Sequence, residues 1–365
     1  MATEYAPSVW RKLLQKKSAV LGLLIITVAT LVCIFGYVIA PDNSIDADLQ
    51  TVEIQSKPAG YKQLFLRVPI ADMQPKGSLQ HYWLGSPTWQ QYIPIKKYEV
   101  KGDSLLLYKY VDDDTAILQT YSLANLLKGR VKGDTNLVVT KHYYLGTDAF
   151  GRDILSRLII GTRVSMMVGM VAVIVSLSIG ILLGAVAGYF GGKVDSAIMW
   201  LINVTWSIPT LLLVFAITLA LGKGFWQIFI AVGITLWVSV ARLVRGQVMA
   251  IKELEYVQAA KALGYSHTRI IARHILPNII GPVLVIAAGN FATAIIVEAG
   301  LSFLGIGVQP PQPSWGLMIK ENYNLIITNN AMQALLPGLA IMMLVLAFNL
   351  LGSGLRDAVD VRENG

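Results

Sequence analysis

Few residues of this chain are spaced for bond-making chemistry. The four histidines are His81, His142, His267 and His274, and none lies in a long apolar run. His267 and His274 are seven positions apart, whereas a helical metal pair needs four, so no metal site is expected. Ser156, Ser165, Ser207 and Ser302 have no base near them in sequence, and a nucleophilic serine needs one. No catalytic residue is therefore assigned. Gly188 to Asp195 superficially resembles a phosphate loop, but Ala187 and Val194 stand where Gly and a hydroxyl residue are required. No cofactor is expected on this chain. Glu298 is the only acid deep in an apolar run; an ionisable group there has to face protein or a water-filled path. Residues 256–277 form a polar, basic segment between two apolar runs, crowded by Arg242, Arg245, Lys252, Lys261, Arg269 and Arg273. Such a segment cannot cross a bilayer, and its charge assigns it to the cytoplasmic side.

The elements around these residues are mostly apolar. The chain is 55% hydrophobic and 14% charged, with mean hydropathy +0.58, which indicates an integral membrane protein. The net charge of +8 is not gathered in one patch, so no nucleic-acid partner is expected. Cys33 is the single cysteine, which excludes an intrachain disulfide. Ser18 to Ala40 is an apolar run of 23 residues behind Arg11, Lys12, Lys16 and Lys17. It is longer than a signal-peptide core and long enough to span the hydrocarbon. Five further spans are expected at Thr162–Tyr189, Ser196–Leu221, Phe225–Val240, Ile279–Leu304 and Ala334–Leu351. Six spans put both termini in the cytoplasm. The basic residues before the first span, Lys193, the basic segment, Arg356 and Arg362 agree, while Arg152, Arg157, Arg163, Lys223 and Lys320 flank the outer side.

Between the first two spans, 41–144 carries 11 acidic and 12 basic residues. Phe65–Ile70, Tyr92–Val100, Leu105–Val111 and Asn136–Tyr144 are rich in branched and aromatic residues, and Lys101-Gly102-Asp103 suits a hairpin turn. Prolines, among them Pro58, Pro75 and Pro94, interrupt any helix. A small, mostly β outer domain is expected. In the second span Gly180, Gly184 and Gly188 recur every fourth residue, a face suited to close helix packing.

Within the basic segment stand Gln258, Ala259, Ala260, Lys261, Gly264 and Pro277. This small pair, glycine and distant proline closely resemble the "EAA" loop of permease subunits in ATP-binding-cassette importers, with Gln258 where the family's leading Glu is usual. Leu145-Gly146-Thr147-Asp148-Ala149-Phe150-Gly151-Arg152-Asp153 looks like the Gly-Thr-Asp-x-x-Gly-Arg-Asp signature of the peptide and nickel branch, second ("C") permease type. Glu298-Ala299-Gly300-Leu301-Ser302-Phe303-Leu304-Gly305 and the tail Leu355 to Asp360 are similar to further stretches of that branch.

The resemblance implies an all-α polytopic membrane protein of six transmembrane helices, the type I ABC importer permease bundle, with the β insertion between helices 1 and 2. It divides the chain into a cytoplasmic N-terminus (1–17), helix 1 (18–40), insertion (41–144), permease domain (145–355) and cytoplasmic tail (356–365), with coupling loop 241–278. It further implies a peptide importer in the bacterial inner membrane, built with a second homologous permease, two ATPase subunits that bind the ATP and Mg, and an extracytoplasmic binding protein. Gln258, Ala259, Ala260, Lys261, Gly264, Arg269, Arg273 and Pro277 would form the ATPase-coupling loop. The two alanines would be small in order to enter a groove of the partner, and Pro277 would stop the loop's second helix. Glu298 and Ser302 would belong to the outer gate or path, as a hydrogen-bonding anchor or a contact for a cationic cargo group. Gly146, Thr147, Asp148, Gly151, Arg152 and Asp153 would mark the outer interface, with Thr147 or Asp148 capping a short helix held flat there. Nickel or another small solute is the alternative cargo. An ion-coupled secondary transporter, an exporter and a membrane enzyme are the other classes; only Glu298 qualifies as an intramembrane acid, and no repeated half is evident.

Overall fold

The computed structural model describes residues 9–70, 80–88, 90–127, 137–222, 224–327 and 331–360. Residues 1–8 of the N-terminal segment, Pro75, Lys223 and Arg362 lie outside the described residues. Among the described residues five helices are long and apolar enough to cross a membrane: Lys17–Ile39, Ile154–Phe190, Phe225–Ile251, His267–Phe303 and Met332–Val359. Gly192–Trp206 and Thr210–Leu221 pass the same test only as a pair, bent by 92°, and bring the number to six if the pair is one span. The described chain forms two compact units, one drawn from Met1–Thr30, Ser165–Gln309 and Leu339–Gly365, the other from Leu31–Val164 and Pro310–Gly338.

In the first unit the glycine face of Ile154–Phe190 lies against Phe225–Ile251. A Cβ on Gly180 would come within 2.5 Å of Val240, on Gly184 within 2.5 Å of the Ala241 carbonyl oxygen, and on Gly188 within 2.7 Å of that of Arg245. The small residues are there because two backbones approach closely. Val240, Val244 and Val248 continue this contact into a buried cluster with Ala185, Val257, Ala260, Ile270 and Ile275.

The second unit holds a five-stranded antiparallel sheet: β1 (Tyr61–Pro69), β2 (Gln90–Lys101), β3 (Ser104–Tyr110), β4 (Ala116–Ser122) and β5 (Val138–Tyr143), in the order β4-β3-β2-β1-β5. Lys101 pairs with Ser104 across the expected turn, where Gly102 has φ +61°. Phe65 and Leu66 are adjacent yet both fully buried. One belongs to a cluster with Ile54, Tyr110 and Tyr143, the other to a cluster with Ile95, Leu105, Leu107 and Leu126. Around Phe65 and Leu66 the sheet is thus covered on both faces, so β1 alternates only partially.

Four expectations need correction. The third span is not one straight helix: it breaks across Ser207, Ile208 and Pro209, because proline lacks an N–H and pushes its predecessor out of the helical region. No separate flat helix precedes the second span, since Ile154–Phe190 is one continuous helix. The helix of the fourth span continues past Val240 to Ile251. The charged groups in that extension find local partners: Arg245 makes a two-point ion pair with Asp195 (2.5 and 2.6 Å), and Arg242 stacks on Trp206 at 3.7 Å. Finally, Pro277 does not stop the loop's second helix. His267–Phe303 is continuous, passing through a π-type turn at Ile271–Ile275 and a 3₁₀ turn at Leu276–Ile279. The widened turn accommodates the ring, and the His274 carbonyl accepts from the Asn278 side-chain amide at 2.7 Å.

Candidate functional site

The basic segment folds as the helix Glu255–Ala262, a tight reversal, and the start of His267–Phe303. The reversal is a Schellman cap: the Tyr265 N–H donates to the Ala260 carbonyl (3.2 Å) and the Gly264 N–H to that of Lys261 (3.0 Å). Gly264 sits at φ +77° with open space where a Cβ would stand. Only backbone conformation therefore opposes substitution. Gly264→Ala is expected to cost about 1–2 kcal/mol, and Gly264→Asn less, since Asn tolerates this region. Thermal unfolding of the purified protein should rank Gly above Asn above Ala, and an alanine variant as stable as the parent would contradict the cap.

Val257 and Ala260 are buried in the cluster with Ile270 and Ile275. Ala260 is therefore small because of packing within its own chain, whereas Ala259 is exposed. Tyr256, Ala259 and Leu263 are all exposed and recur at i, i+3 and i+7, one helical stripe. Leu263, 73% exposed, was missed by sequence reasoning; its signal was an apolar residue next to the capping glycine. Lys261, Arg269 and Arg273 are exposed, with the Arg269 guanidinium 4.3 Å from the Tyr265 ring. Arg242, Arg245 and Lys252 are engaged inside the chain, Lys252 through the Gly188 carbonyl at 3.0 Å. The histidines brace the loop: His267 Nδ1 is 2.9 Å from the Tyr189 hydroxyl, and His274 stacks on Tyr265.

Gln258 donates from its side-chain amide to the Lys252 carbonyl, at 2.8 Å. Lys252 caps the C-terminal end of Phe225–Ile251, whose carbonyls carry partial negative charge. A carboxylate is an acceptor only and cannot make this bond. Gln258→Glu is accordingly expected to weaken hydrogen-exchange protection of residues 252–262 severalfold at neutral pH. Equal protection in the two proteins would remove this role.

Glu298 and Ser302 are fully buried in the first unit. The Ser302 hydroxyl donates to Glu298 Oε1 (2.6 Å) and accepts from the Val308 N–H (2.9 Å). The Ile306 and Gly307 N–H groups both reach the Leu301 carbonyl at 2.9 Å. This arrangement closes the C-terminal end of the helix and ties down the 303–308 turn.

In the second unit the glycine-aspartate-arginine stretch builds a buried charge cluster. Gly146 and Gly151 take positive φ, and at Gly151 a Cβ would collide with the Thr51 backbone. Arg152 is the hub. Its Nε donates to Asp148 Oδ2 (2.7 Å), Nη1 to Asp48 Oδ1 (3.2 Å) and Nη2 to Glu321 Oε2 (2.6 Å). Arg157, equally buried, reaches the same three carboxylates at 3.3 to 3.7 Å. Asp148 also accepts from the Phe150 and Arg152 N–H groups, and Thr147 bonds the Ile54 carbonyl and the Lys57 N–H. The cap of Ile154–Phe190 is Asp153, which accepts from the Ser156 N–H at 2.8 Å and from its hydroxyl; neither Thr147 nor Asp148 has that role. Burial pushes the Asp153 carboxyl above its usual range, opposed by the Ser156 bonds and by Lys141. Burial likewise lowers Lys141, opposed by Asp42 and Asp153. Asp48 and Glu321 were not singled out in the sequence. Two of the three arginines that run against the positive-inside bias, Arg152 and Arg157, are thus paired inside the fold.

Residues 180–364 match the family model described as binding-protein-dependent transport system inner membrane component. Residues 6–58 match the N-terminal TM domain of oligopeptide transport permease C. The dipeptide transport system permease protein DppC of Bacillus subtilis (strain 168) is 37% identical over 264 residues, covering 72% of this chain and 82% of the relative. The oligopeptide permease protein OppC of the same strain is 38% identical, covering 66% and 76%. The glutathione permease protein GsiD of Pectobacterium atrosepticum is 42% identical, covering 60% and 72%. Among solved structures, an inward-facing MetNI methionine ABC transporter chain aligns with TM-score 0.45 and 18% identity, over 55% of this chain and 95% of that one.

Proposed function

This chain belongs to the binding-protein-dependent transport permeases, and from that premise we propose that it is a transmembrane subunit of an ATP-driven peptide importer. What carries the cargo class is that the relatives above are named for dipeptides, oligopeptides and glutathione, all peptides. In this reading a second homologous permease completes the path, an external binding protein delivers the peptide, and two ATPase subunits bind ATP and Mg. Both termini and the basic loop face the cytoplasm, and the 41–144 insertion faces outward.

The loop geometry supports its role in coupling. Its helix is fixed from behind by Val257, Ala260, Ile270 and Ile275, so a force on its exposed stripe reaches the spans without being absorbed in the loop. Tyr256, Ala259 and Leu263 supply apolar contact, and Lys261 and Arg273 supply charge for acidic groups on the ATPase. A contact equal in both ATPase states would shift nothing, so the stripe has to bind one state better. Glu298 and Ser302 act in this reading as a hydrogen-bonded anchor of the gate.

The test is purification of the tagged chain in mild detergent with its co-purifying proteins, followed by ATPase assay with peptide-loaded binding protein. Recovery of a second permease and ATPase subunits, with turnover raised by the loaded binding protein, is the expected result. Recovery of the chain alone would overturn the proposal.

A further inference from the structure

Independently of the cargo, we propose that the short helix Gln80–Leu84 is an interfacial membrane anchor that lays Tyr82, Trp83 and Leu84 into the headgroup region. These three consecutive residues are 60%, 55% and 65% exposed, an unusual run on a surface bathed by water.

Their depth is set by contacts within the second unit. The next residue, Gly85, packs on the first span: a Cβ there would lie 2.8 Å from the ring of Tyr37, in the last turn of Lys17–Ile39. The Ser86 N–H donates to the Asn43 carbonyl at 2.9 Å, and the Ile45 N–H to that of Ser86 at 3.3 Å. From the other side, Arg163 Nη1 donates to the Trp83 carbonyl at 2.6 Å. Arg163 lies nine residues into Ile154–Phe190, about 14 Å along that helix, and its guanidinium stands 4.9 Å from the Tyr37 ring. Trp83 is therefore held at the level where one span ends and the next begins.

The surface and the backbone chemistry both fit lipid. Val38 and Ile39, at the end of the first span, are 57% and 54% exposed. The lipid-facing apolar surface thus leads up to the Gly85 contact. Trp and Tyr favour this depth because each has an apolar body and a polar edge. A carbonyl in a zone poor in water needs a protein donor, and Arg163 supplies one to Trp83. The insertion is in this way tied to the bilayer at a third point, between the two spans that flank it.

The experiment is collision accessibility of spin labels in the full chain, co-purified with its partners and placed in nanodiscs. Cys33→Ala provides the background, with labels at Trp83→Cys or Leu84→Cys. Tyr98→Cys on β2, 46% exposed, is the water reference, and Val28→Cys, 52% exposed within the first span, the lipid reference. At positions 83 and 84 the ratio of oxygen to nickel-chelate collisions is expected to exceed that at 98 severalfold and to approach that at 28. A ratio equal to that at 98 would overturn the anchor. So would low collision rates with both reagents, which would mean that a protein surface covers the helix.

Discussion

Arg152→Ala is expected to lower the unfolding temperature of the purified protein by roughly 10 °C, corresponding to about 3–5 kcal/mol. Two guanidiniums and three carboxylates share the buried cluster, so its formal charge is already one negative. Arg152 contacts all three acids directly, and its removal leaves Arg157 alone against them at 3.3 to 3.7 Å. Uncompensated buried charge is what makes a broken ion pair costly. Arg152→Lys should recover only part of the loss, since an ammonium cannot reproduce the planar fork that reaches three partners. Combining Arg152→Ala with Glu321→Gln should cost less than the two single losses added together. Unfolding within a degree or two of the parent would mean that water already screens the cluster.

The second large effect separates two adjacent residues. Ala259→Arg is expected to reduce binding-protein-stimulated ATPase at least tenfold while leaving thermal stability unchanged, because the side chain points away from the chain's own core. Ala260→Leu is expected to destabilise the protein itself, by about 1–3 kcal/mol, because Ala260 is only 5% exposed among Val257, Ile270 and Ile275. Both variants would lose transport, so activity alone cannot tell them apart; unfolding temperature read beside ATPase can. Full stimulated turnover in Ala259→Arg would exclude this face from docking.

What could be read from residue order was what depends on local composition. The glycine face at 180, 184 and 188 is a one-helix pattern, and its partner surface confirms the spacing argument. The basic loop announces itself by charge between apolar runs. Gln258 could be flagged as a departure but not explained, because its acceptor becomes visible only once the loop folds back on Lys252. The charge cluster was half legible. Arg152 and Asp148 lie within one signature, while Asp48 and Glu321 are 104 and 169 positions from Arg152, and no local pattern marks them. Pro209 marks where a kink could fall but not the size of the bend at 207–209, because hydropathy continues through it and a proline in an apolar run reads equally as a kink or as a break. β4 escaped because a strand with no fully buried residue lacks the apolar stripe by which strands are recognised.

The π-type turn at Ile271–Ile275 carries a geometric consequence for the junction between loop and span. Each residue added to a helix advances its face by about 100°, so a turn holding one extra residue sets the angular phase between the helix upstream of it and the helix downstream. Ile270, upstream, is buried in the valine cluster, while downstream, on Ile280–Phe303, Asn290 and Glu298 are the buried polar residues. That phase is set jointly by the wide π-type turn and the tighter 3₁₀ turn at Leu276–Ile279 that follows it. The loop and the fifth span are thus like two gears keyed to one shaft, and the key is the pair of irregular turns between them.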